Sequence, residues 1–535
     1  MYPLIRLVLY SLLFSSSTFA FQLPFKLPFF KSVESIVAEQ QVSQTTPRIA
    51  VIGAGAGGSS AAFWIYKAKQ RFGIDVEVDV YERASYIGGR STTVYPHNDS
   101  TYAPIELGAS IFVDVNKNMM RAAKEFNLSL SDFGDEFSDT GIWDGSQFVL
   151  VMDNSSYTKS WWTTLKLLWR YGYNSPVKTQ AIVKNMISRF VGLYTTESPR
   201  WDDIADLAAK FEWTDLTNRT TIEHLTANGI SEQFSRELVE AATRVNYGQD
   251  VDKIHTLEGL CSMAATGASG VATGNFRIFE NFLENSGAQV HLNTEVKEIK
   301  RVPDSSLWTV STSSGTQVYK GVILAAPFHQ SSISIPSDLA EQIPPQPYVH
   351  LHVTLLTTRS DYAKPEYFGL APGSPVPQSI LTTFDGARAG GVEPEFNSLS
   401  YHGRIHRPGQ SSTEGEEEWS VKIFSKERVS DEWLAKVFDH VGWVYRKEWD
   451  AYPVLPPTIQ FPPVKLDQGF YYVNAFEPFI STMETETIAS RNVVDLLLHE
   501  EFGSGICGSL LSGSETGENK TRVVDSSDFV LGWDC

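Results

Sequence analysis

Cysteine is scarce, with three in 535 residues: Cys261, Cys507 and Cys535. So few exclude a disulfide-built scaffold, and an odd number leaves at least one thiol unpaired within the chain. Cys535 is the last residue, which excludes a prenylated C-terminal signal, because that needs three residues after its cysteine. Positive charge is also short: 44 Lys and Arg against 63 Asp and Glu give a net charge of −19. A surface that acidic repels phosphate backbones, so nucleic acid is excluded as a partner. After the first 20 residues no run is long and apolar enough to span a bilayer. Internal repeats, metal-ligand spacings and nucleophile–base patterns are missing too. No metal and no obligate protein partner are expected.

What is present fits a globular protein, with 42% apolar and 20% charged residues. A chain of 535 residues exceeds what one compact core organises, so two interleaved domains are expected. The opening MYPLIRLVLYSLLFSSSTFA sets Arg6 before an apolar run from Leu7 to Phe14, then small residues up to Ala20. That is the pattern of a secretory signal peptide, residues 1–20. Sequons at Asn98, Asn127, Asn154, Asn218 and Asn519 agree with it. The expectation is a glycoprotein of the secretory pathway, in a lysosome- or vacuole-like compartment or outside the cell.

Residues 21–47 read as a linker or proregion. From Arg48, the strand RIAVI, a glycine turn, a helix from about Ser59 to Arg71 and the strand VEVDVYER form a βαβ unit of a parallel sheet. That unit opens a first cofactor-domain part, 48–115. A mainly helical substrate segment spans 116–285, and a β-rich return, 286–330, supplies the second cofactor part. Residues 331–465, irregular and rich in Pro, Gly and Ser, are assigned to the substrate domain. FYYVNAF and the helix METETIASRNVVDLLLHEEF make the third cofactor part, 466–503, followed by a tail, 504–535.

Gly53, Gly55 and Gly58 give G-x-G-x-x-G directly after the first strand. In such a turn the first glycine bends the chain, the second admits a pyrophosphate, and the third lets helix pack on strand. The helix N-terminus then offers free N–H groups to the phosphates. The second strand ends in Glu82-Arg83, where a carboxylate binds ribose hydroxyls and repels a 2′-phosphate, which argues against NADP. Gly88-Gly89-Arg90 adds a second close turn and a guanidinium able to bridge pyrophosphate oxygens. Glu106-Leu107-Gly108-Ala109-Ser110-Ile111 follows.

These three segments in series resemble the glutathione-reductase-type flavoproteins of the amine oxidase and phytoene desaturase branch. The resemblance implies FAD. It also implies that Val296 contacts adenine, that Gly108 and Ala109 approach the flavin, and that the amides of Met483 and Glu484 face its pyrimidine ring. The implied fold is α/β, an FAD-binding Rossmann-like domain of the glutathione-reductase/amine-oxidase type interleaved with an α+β substrate domain.

The middle of the chain carries a narrower resemblance. Arg244-Val245-Asn246-Tyr247-Gly248-Gln249, His255, an Ala/Gly-rich stretch and Thr273-Gly274-Asn275 are similar, in that order, to prenylcysteine oxidase, as is METETIASRNV. One departure is Thr273, where that family usually carries glycine, preceded by Ala272; it bears on substrate preference, not on fold. The resemblance implies hydride transfer to flavin from the thioether of farnesyl- or geranylgeranylcysteine. The products are a prenyl aldehyde, free cysteine and hydrogen peroxide, so the partners are a small lipophilic amino acid and dioxygen. Because the cofactor carries the hard step, no catalytic side chain is assigned. Asn246, Tyr247, Gln249, His255 and Asn275 are candidates for the substrate pocket, with a structural role for His255 as the alternative. Ser160 to Tyr173 reads as an aromatic core helix, or as one that lines a groove or touches a membrane. Competing functions are an amine or polyamine oxidase and a non-catalytic flavin- or lipid-binding glycoprotein.

Overall fold

Four of the five residues of RIAVI are aliphatic, and four are buried, as a central parallel strand covered on both faces requires. This strand is β1, Arg48–Ile52, of a six-stranded sheet with β2 Glu77–Tyr81, β3 Gln289–His291, β4 Gly321–Leu324, β5 Lys465–Asp467 and β6 Phe470–Tyr472. The spatial order is β5-β6-β4-β1-β2-β3, parallel throughout except for the β5–β6 hairpin. The computed structural model describes residues 46–132, 139–153, 157–264, 267–405, 417–508 and 528–535. The leader and the sequons at Asn154 and Asn519 lie outside them. No helix among the described residues is long and apolar enough to cross a membrane.

Three helices position the site: α1 Ala56–Phe72, α2 Phe276–Ser286 and α3 Met483–Phe502. The last coincides with METETIASRNVVDLLLHEEF. The first begins three residues before the expected Ser59, because Gly57 and Gly58 lie within its first turn. Small residues there let α3 come close: the Ser490 hydroxyl donates to the Gly57 carbonyl, and Trp64 Nε1 donates to Thr487 O at 3.1 Å.

Residues 331–465 are more regular than their composition suggests. They supply five strands, Tyr348–Thr358, Ser379–Thr382, Ser398–Ile405, Glu418–Ser425 and Val444–Pro453, of a second, seven-stranded sheet. Its other two strands, Asp139–Trp143 and Phe148–Asp153, come from the segment read as mainly helical. The strands are short and separated by Pro- and Gly-rich turns, which masks their period-2 pattern in composition.

Two expectations need correction. The helix Tyr157–Tyr171 is not an aromatic core helix: Trp162 is 59% and Trp169 88% exposed. Nor are all of residues 504–535 a loose tail. Phe529, Val530, Leu531 and Trp533 are buried against the nucleotide-binding core. The Trp533 ring lies 5.0 Å from Phe63 and 5.5 Å from Trp64, and its Nε1 donates to Asn118 Oδ1 at 3.1 Å. Arg71 donates to the carbonyls of Gly532 and Trp533, and Arg491 to that of Leu531. A disulfide joins Cys507 to Cys535, leaving Cys261 as the free thiol.

Candidate active site

The cradle forms where β1 ends. Gly53 takes φ +109°, and a Cβ there would lie 2.4 Å from the Ala325 carbonyl oxygen. A Cβ on Gly58 would lie 1.9 Å from the Gly53 oxygen. Gly55 differs: its nearest protein neighbour would be Gly89 Cα, at an ordinary 3.8 Å. The fold demands glycine at Gly53 and Gly58, whereas at Gly55 the space is left for something other than protein. Beside it, α1 starts with no side-chain cap and no acidic residue in its first turn. Those open amides and the dipole end suit an anion.

Glu82 closes this turn. Its Oε2 accepts from Ala54 N at 2.9 Å and its Oε1 from Ala84 N at 2.7 Å. The Gly88-Gly89 turn leans on the same loop, with Gly88 N donating to Ala54 O at 2.9 Å and Gly89 at φ +59°. Thr294 N bonds to Glu82 O at 2.8 Å and so brings buried Val296 to the same edge. Arg83 does not join them. It is exposed and donates to Gln330 O at 3.1 Å, so the cofactor contact expected of it is withdrawn: past the end of β2 its side chain is tied to Gln330 and not to the glycine turn.

Arg90 is held more tightly than its motif suggests. It pairs with buried Glu477, donates to Ala451 O at 3.1 Å, and sits over the Tyr348 ring. Tyr348 also donates to Glu477. A second buried carboxyl, Glu486 on α3, lies where its Oε2 would be 2.9 Å from a Cβ on Gly57. Burial and the Glu477 charge push its pKa well up. Sequence reasoning missed Glu477 and Glu486; the only signal was acidic residues just after a predicted cofactor strand and inside a buried helix.

The segment Glu106–Ile111 returns past this cradle. A Cβ on Gly108 would lie 2.3 Å from Arg90 O and 2.7 Å from the Trp449 ring, so only glycine packs there. Lys422 Nζ donates to Glu106 O at 3.1 Å and to Ser110 Oγ at 2.9 Å. Asn275 pins the segment from the other side: its amide reaches Glu106 Oε1 at 2.6 Å and its Nδ2 reaches Ala109 O at 3.0 Å. Five buried polar atoms on or beside these segments have no partner among the described residues: Ser91 Oγ, Glu106 Oε2, Trp449 Nε1, Asn474 Oδ1 and Glu486 Oε1. Orphans so concentrated fit a polar group held in the cradle.

A cavity of about 130 Å³ lies at the N-terminus of α3. Its walls include Ile111, Met186, Phe190, Asn246, Tyr247 and Met483. Thr482 caps α3 reciprocally with Thr485, so the helix end is fixed. The Glu484 carboxylate turns away to accept from Asn118 N and Met119 N, both at 2.9 Å, leaving its backbone as the part available to a ligand.

A family model for prenylcysteine lyase matches residues 154–505, well over half of the chain. The chain belongs to the prenylcysteine lyase family. Residues 51–126 match an NAD(P)-binding Rossmann-like domain. Farnesylcysteine lyase of Arabidopsis thaliana is 29% identical over 469 residues, covering 84% of this chain and 88% of that protein. Prenylcysteine oxidase 1 of Homo sapiens is 28% identical over 488 residues, covering 85% and 90%. Among solved structures, cyclohexylamine oxidase from Brevibacterium oxydans aligns with a TM-score of 0.54 at 16% identity, over 85% of this chain and 99% of that one. That likeness carries the fold alone. With this family, fold and cradle, the cofactor is FAD.

Within this prenylcysteine lyase family chain, the five substrate-pocket candidates separate. Asn246 and Tyr247 line the cavity. Tyr247 is hydrogen-bonded to buried Glu258, which also accepts from Ser481 N at 3.2 Å, just before α3. Gln249 does not reach the cavity; it donates to Pro453 O at 3.1 Å and accepts from Leu455 N at 2.8 Å. His255 is fully buried and structural: Nδ1 accepts from Glu258 N, so the proton sits on Nε2, which donates to Pro478 O. Asn275 positions the flavin segment. Thr273 and Ala272, the departures from the family pattern, are exposed, while Gly274 at φ +106° keeps the glycine that the turn requires. Asn275→Ala keeps the backbone bond to Glu106 but removes the side chain that accepts from Val271 N at 2.8 Å and donates to Ala109 O, so it is expected to cost about 2–3 kcal/mol and weaken flavin retention; denaturant melts and FAD reconstitution check both.

One expectation of absence meets a counter-observation. His350, His352 and Glu448 bring ligand atoms within 4.8 Å of one another, a group of metal-ligating type that holds no ion. His350 and His352 alternate with Leu351, which packs beside Leu107, and Glu448 pairs with His352 from the neighbouring strand, so the group lies on the other face of the sheet from Leu351.

Burial raises the carboxyl pKa values of Glu106, Glu258 and Glu484 to about 7, 8 and 7. In the unfolded chain these groups ionise near 4.3, so the folded state holds more protons between there and pH 8, and stability falls as pH rises through that window. His255, lowered by burial to about 4, acts oppositely: its contribution is present above 6.5 and is lost as pH falls toward 4. His402, lowered to about 3, does the same. The three carboxyls outweigh the two imidazoles, so stability is expected to fall as pH rises above about 5. Thermal melts from pH 5 to about 8.5 check it, and a melting temperature still rising at pH 8 would refute it.

Proposed function

We propose that the protein oxidises the thioether of farnesyl- or geranylgeranylcysteine, with dioxygen and water, to a prenyl aldehyde, free cysteine and hydrogen peroxide. The observation that carries this reading is the family match across residues 154–505, which include the cavity walls Met186 and Phe190 and its polar edge at Asn246 and Tyr247. Bound FAD supplies the two-electron oxidant and passes the electrons to dioxygen.

The protein's part is binding and orientation. Gly55, the open amides of α1 and Arg90 would hold the pyrophosphate, Glu82 the ribose, and the fixed N-terminus of α3 the ring edge where negative charge grows on reduction. Ile111, Met186 and Phe190 exclude water from the apolar tail, while Asn246 and the Tyr247–Glu258 pair offer polar contacts to the amino-acid end. Glu258, with its pKa near 8, stays protonated at neutral pH and keeps its bond to Tyr247 without placing a bare charge beside the cavity.

Anaerobic addition of farnesylcysteine to the FAD-loaded enzyme should bleach the flavin, and air should then release peroxide. Bleaching by spermine and not by farnesylcysteine would install the amine oxidase reading instead.

We also place the protein in the secretory pathway, bound for a lysosome- or vacuole-like compartment or for export, as a glycoprotein. The leader pattern supports this reading, as do exposed Asn98, Asn127 and Asn218 and the Cys507–Cys535 disulfide. Removal of N-glycans should shift its mobility on a gel; no shift would overturn it.

A further inference from the structure

A soluble helix turns its apolar stripe to the core, and the helix Tyr157–Tyr171, besides packing Leu167 and Tyr171 inward, exposes a second apolar stripe. Trp162, Leu165 and Trp169 recur along one face, with the two Trp rings largely in solvent, while Thr163 and Tyr171 on the other face are buried. Leu168, Tyr173 and Val177 extend the exposed patch into the next helix, Asn174–Phe190. Five of the twelve exposed large apolar side chains among the described residues thus fall between positions 162 and 177.

The charge of this region is equally out of character. From Asn154 to Thr196 there are six basic residues and no acidic one, in a chain of net charge −19. Arg170 is paired with Glu237 and Arg189 with Glu212, while Lys166, Lys178 and Lys184 are exposed around the patch. Two such cationic faces repel each other, which disfavours a second copy as the occupant. The inner end of the same helix pair reaches the active site, because Met186, Ile187 and Phe190 wall the cavity.

We propose that this helix pair docks on the surface of an anionic bilayer and that the prenyl tail of the substrate passes from the bilayer along Asn174–Phe190 into the cavity. The second half rests on the prenylcysteine reading; the docking does not. Tryptophan and tyrosine rings settle at the headgroup level, and lysines add attraction to anionic lipid. No described helix spans, so the contact is peripheral.

The test uses the FAD-loaded full chain and phosphatidylcholine vesicles with or without about 30% phosphatidylserine. Binding is expected to be about tenfold tighter to the anionic vesicles and to weaken with salt. Trp162→Ser with Trp169→Ser, and separately Lys166→Glu, should each reduce binding, the Trp pair about tenfold or more. Peroxide production from vesicle-borne farnesylcysteine should fall with it, while turnover of a soluble cysteine thioether bearing one isoprene unit stays at the wild-type rate. Circular dichroism identifies any variant that fails to fold. Equal vesicle binding by wild type and variants, or none by wild type, overturns the docking, as does self-association abolished by the Trp changes. Vesicle binding without peroxide from any prenylcysteine leaves the docking in place and removes the substrate reading.

Discussion

Trp533→Ala is expected to destabilise the protein by about 3–5 kcal/mol, the usual cost of emptying a buried tryptophan site. Trp533 lies two residues from the C-terminal Cys535, yet it fills the space between α1, α2 and the helix Lys117–Glu125, packing on the rings of Phe63, Trp64, Phe126 and Phe282. Its indole also satisfies Asn118, whose Nδ2 reaches Thr487 of α3 at 2.8 Å. Deleting the ring therefore leaves a cavity and an unpaired buried amide oxygen together. Cys535→Ser acts on the same clamp from the unfolded side. The disulfide closes a loop of 28 residues, whose loss costs about 3.6 kcal/mol in the chain-entropy account. Because both changes release one clamp, the double variant should lose less than the sum of the two. Urea denaturation of the oxidised protein measures each, and a loss below about 1 kcal/mol for Trp533→Ala would show that the C-terminal stretch docks without holding.

Gly55→Ala should leave the folded chain intact and abolish flavin retention, whereas Gly58→Ala should damage the fold itself. The contrast follows from what each Cβ would meet. At Gly55 the nearest protein atom is in ordinary contact at 3.8 Å, so the methyl group occupies only the ligand's space. At Gly58 it would lie 1.9 Å from a backbone oxygen of the turn, which must then open and separate α1 from β1. The expected result for Gly55→Ala is a melting temperature close to that of wild-type apoprotein with little bound FAD by absorbance. For Gly58→Ala it is a loss of several kcal/mol. Tight FAD binding by Gly55→Ala would show that pyrophosphate does not approach this glycine.

Much of the cofactor domain could be read from local pattern. RIAVI, the glycine turn and the strand ending at Tyr81 stand in sequence as they stand in the sheet, because a parallel βαβ unit is built from contacts close along the chain. The helix Met483–Phe502 was also legible: it is a run of twenty residues without Gly or Pro, and Thr482 supplies a cap. The second sheet was not, since its strands draw on residues from 139 to 453 and no single segment shows the pairing.

The site divides the same way. Gly53, Gly55, Gly58 and Glu82 carry their roles in spacing, because backbone close approach and a strand-end carboxylate are local properties. Gln249 and His255 look like the same kind of polar residue as Asn246 and Tyr247 along the chain. Folding buries the first two as backbone ties and leaves the second two at a cavity. Glu477 and Glu486 matter only because β6 and α3 bring them to Arg90 and Gly57. Motif spacing along the chain thus reached a nucleotide-binding βαβ unit, and the family resemblance carried by those motifs reached the class of fold and the cofactor. Which polar groups face a ligand, and why Phe529 to Trp533 are part of the core, follows from contacts between residues hundreds of positions apart, whose free energy no local window contains.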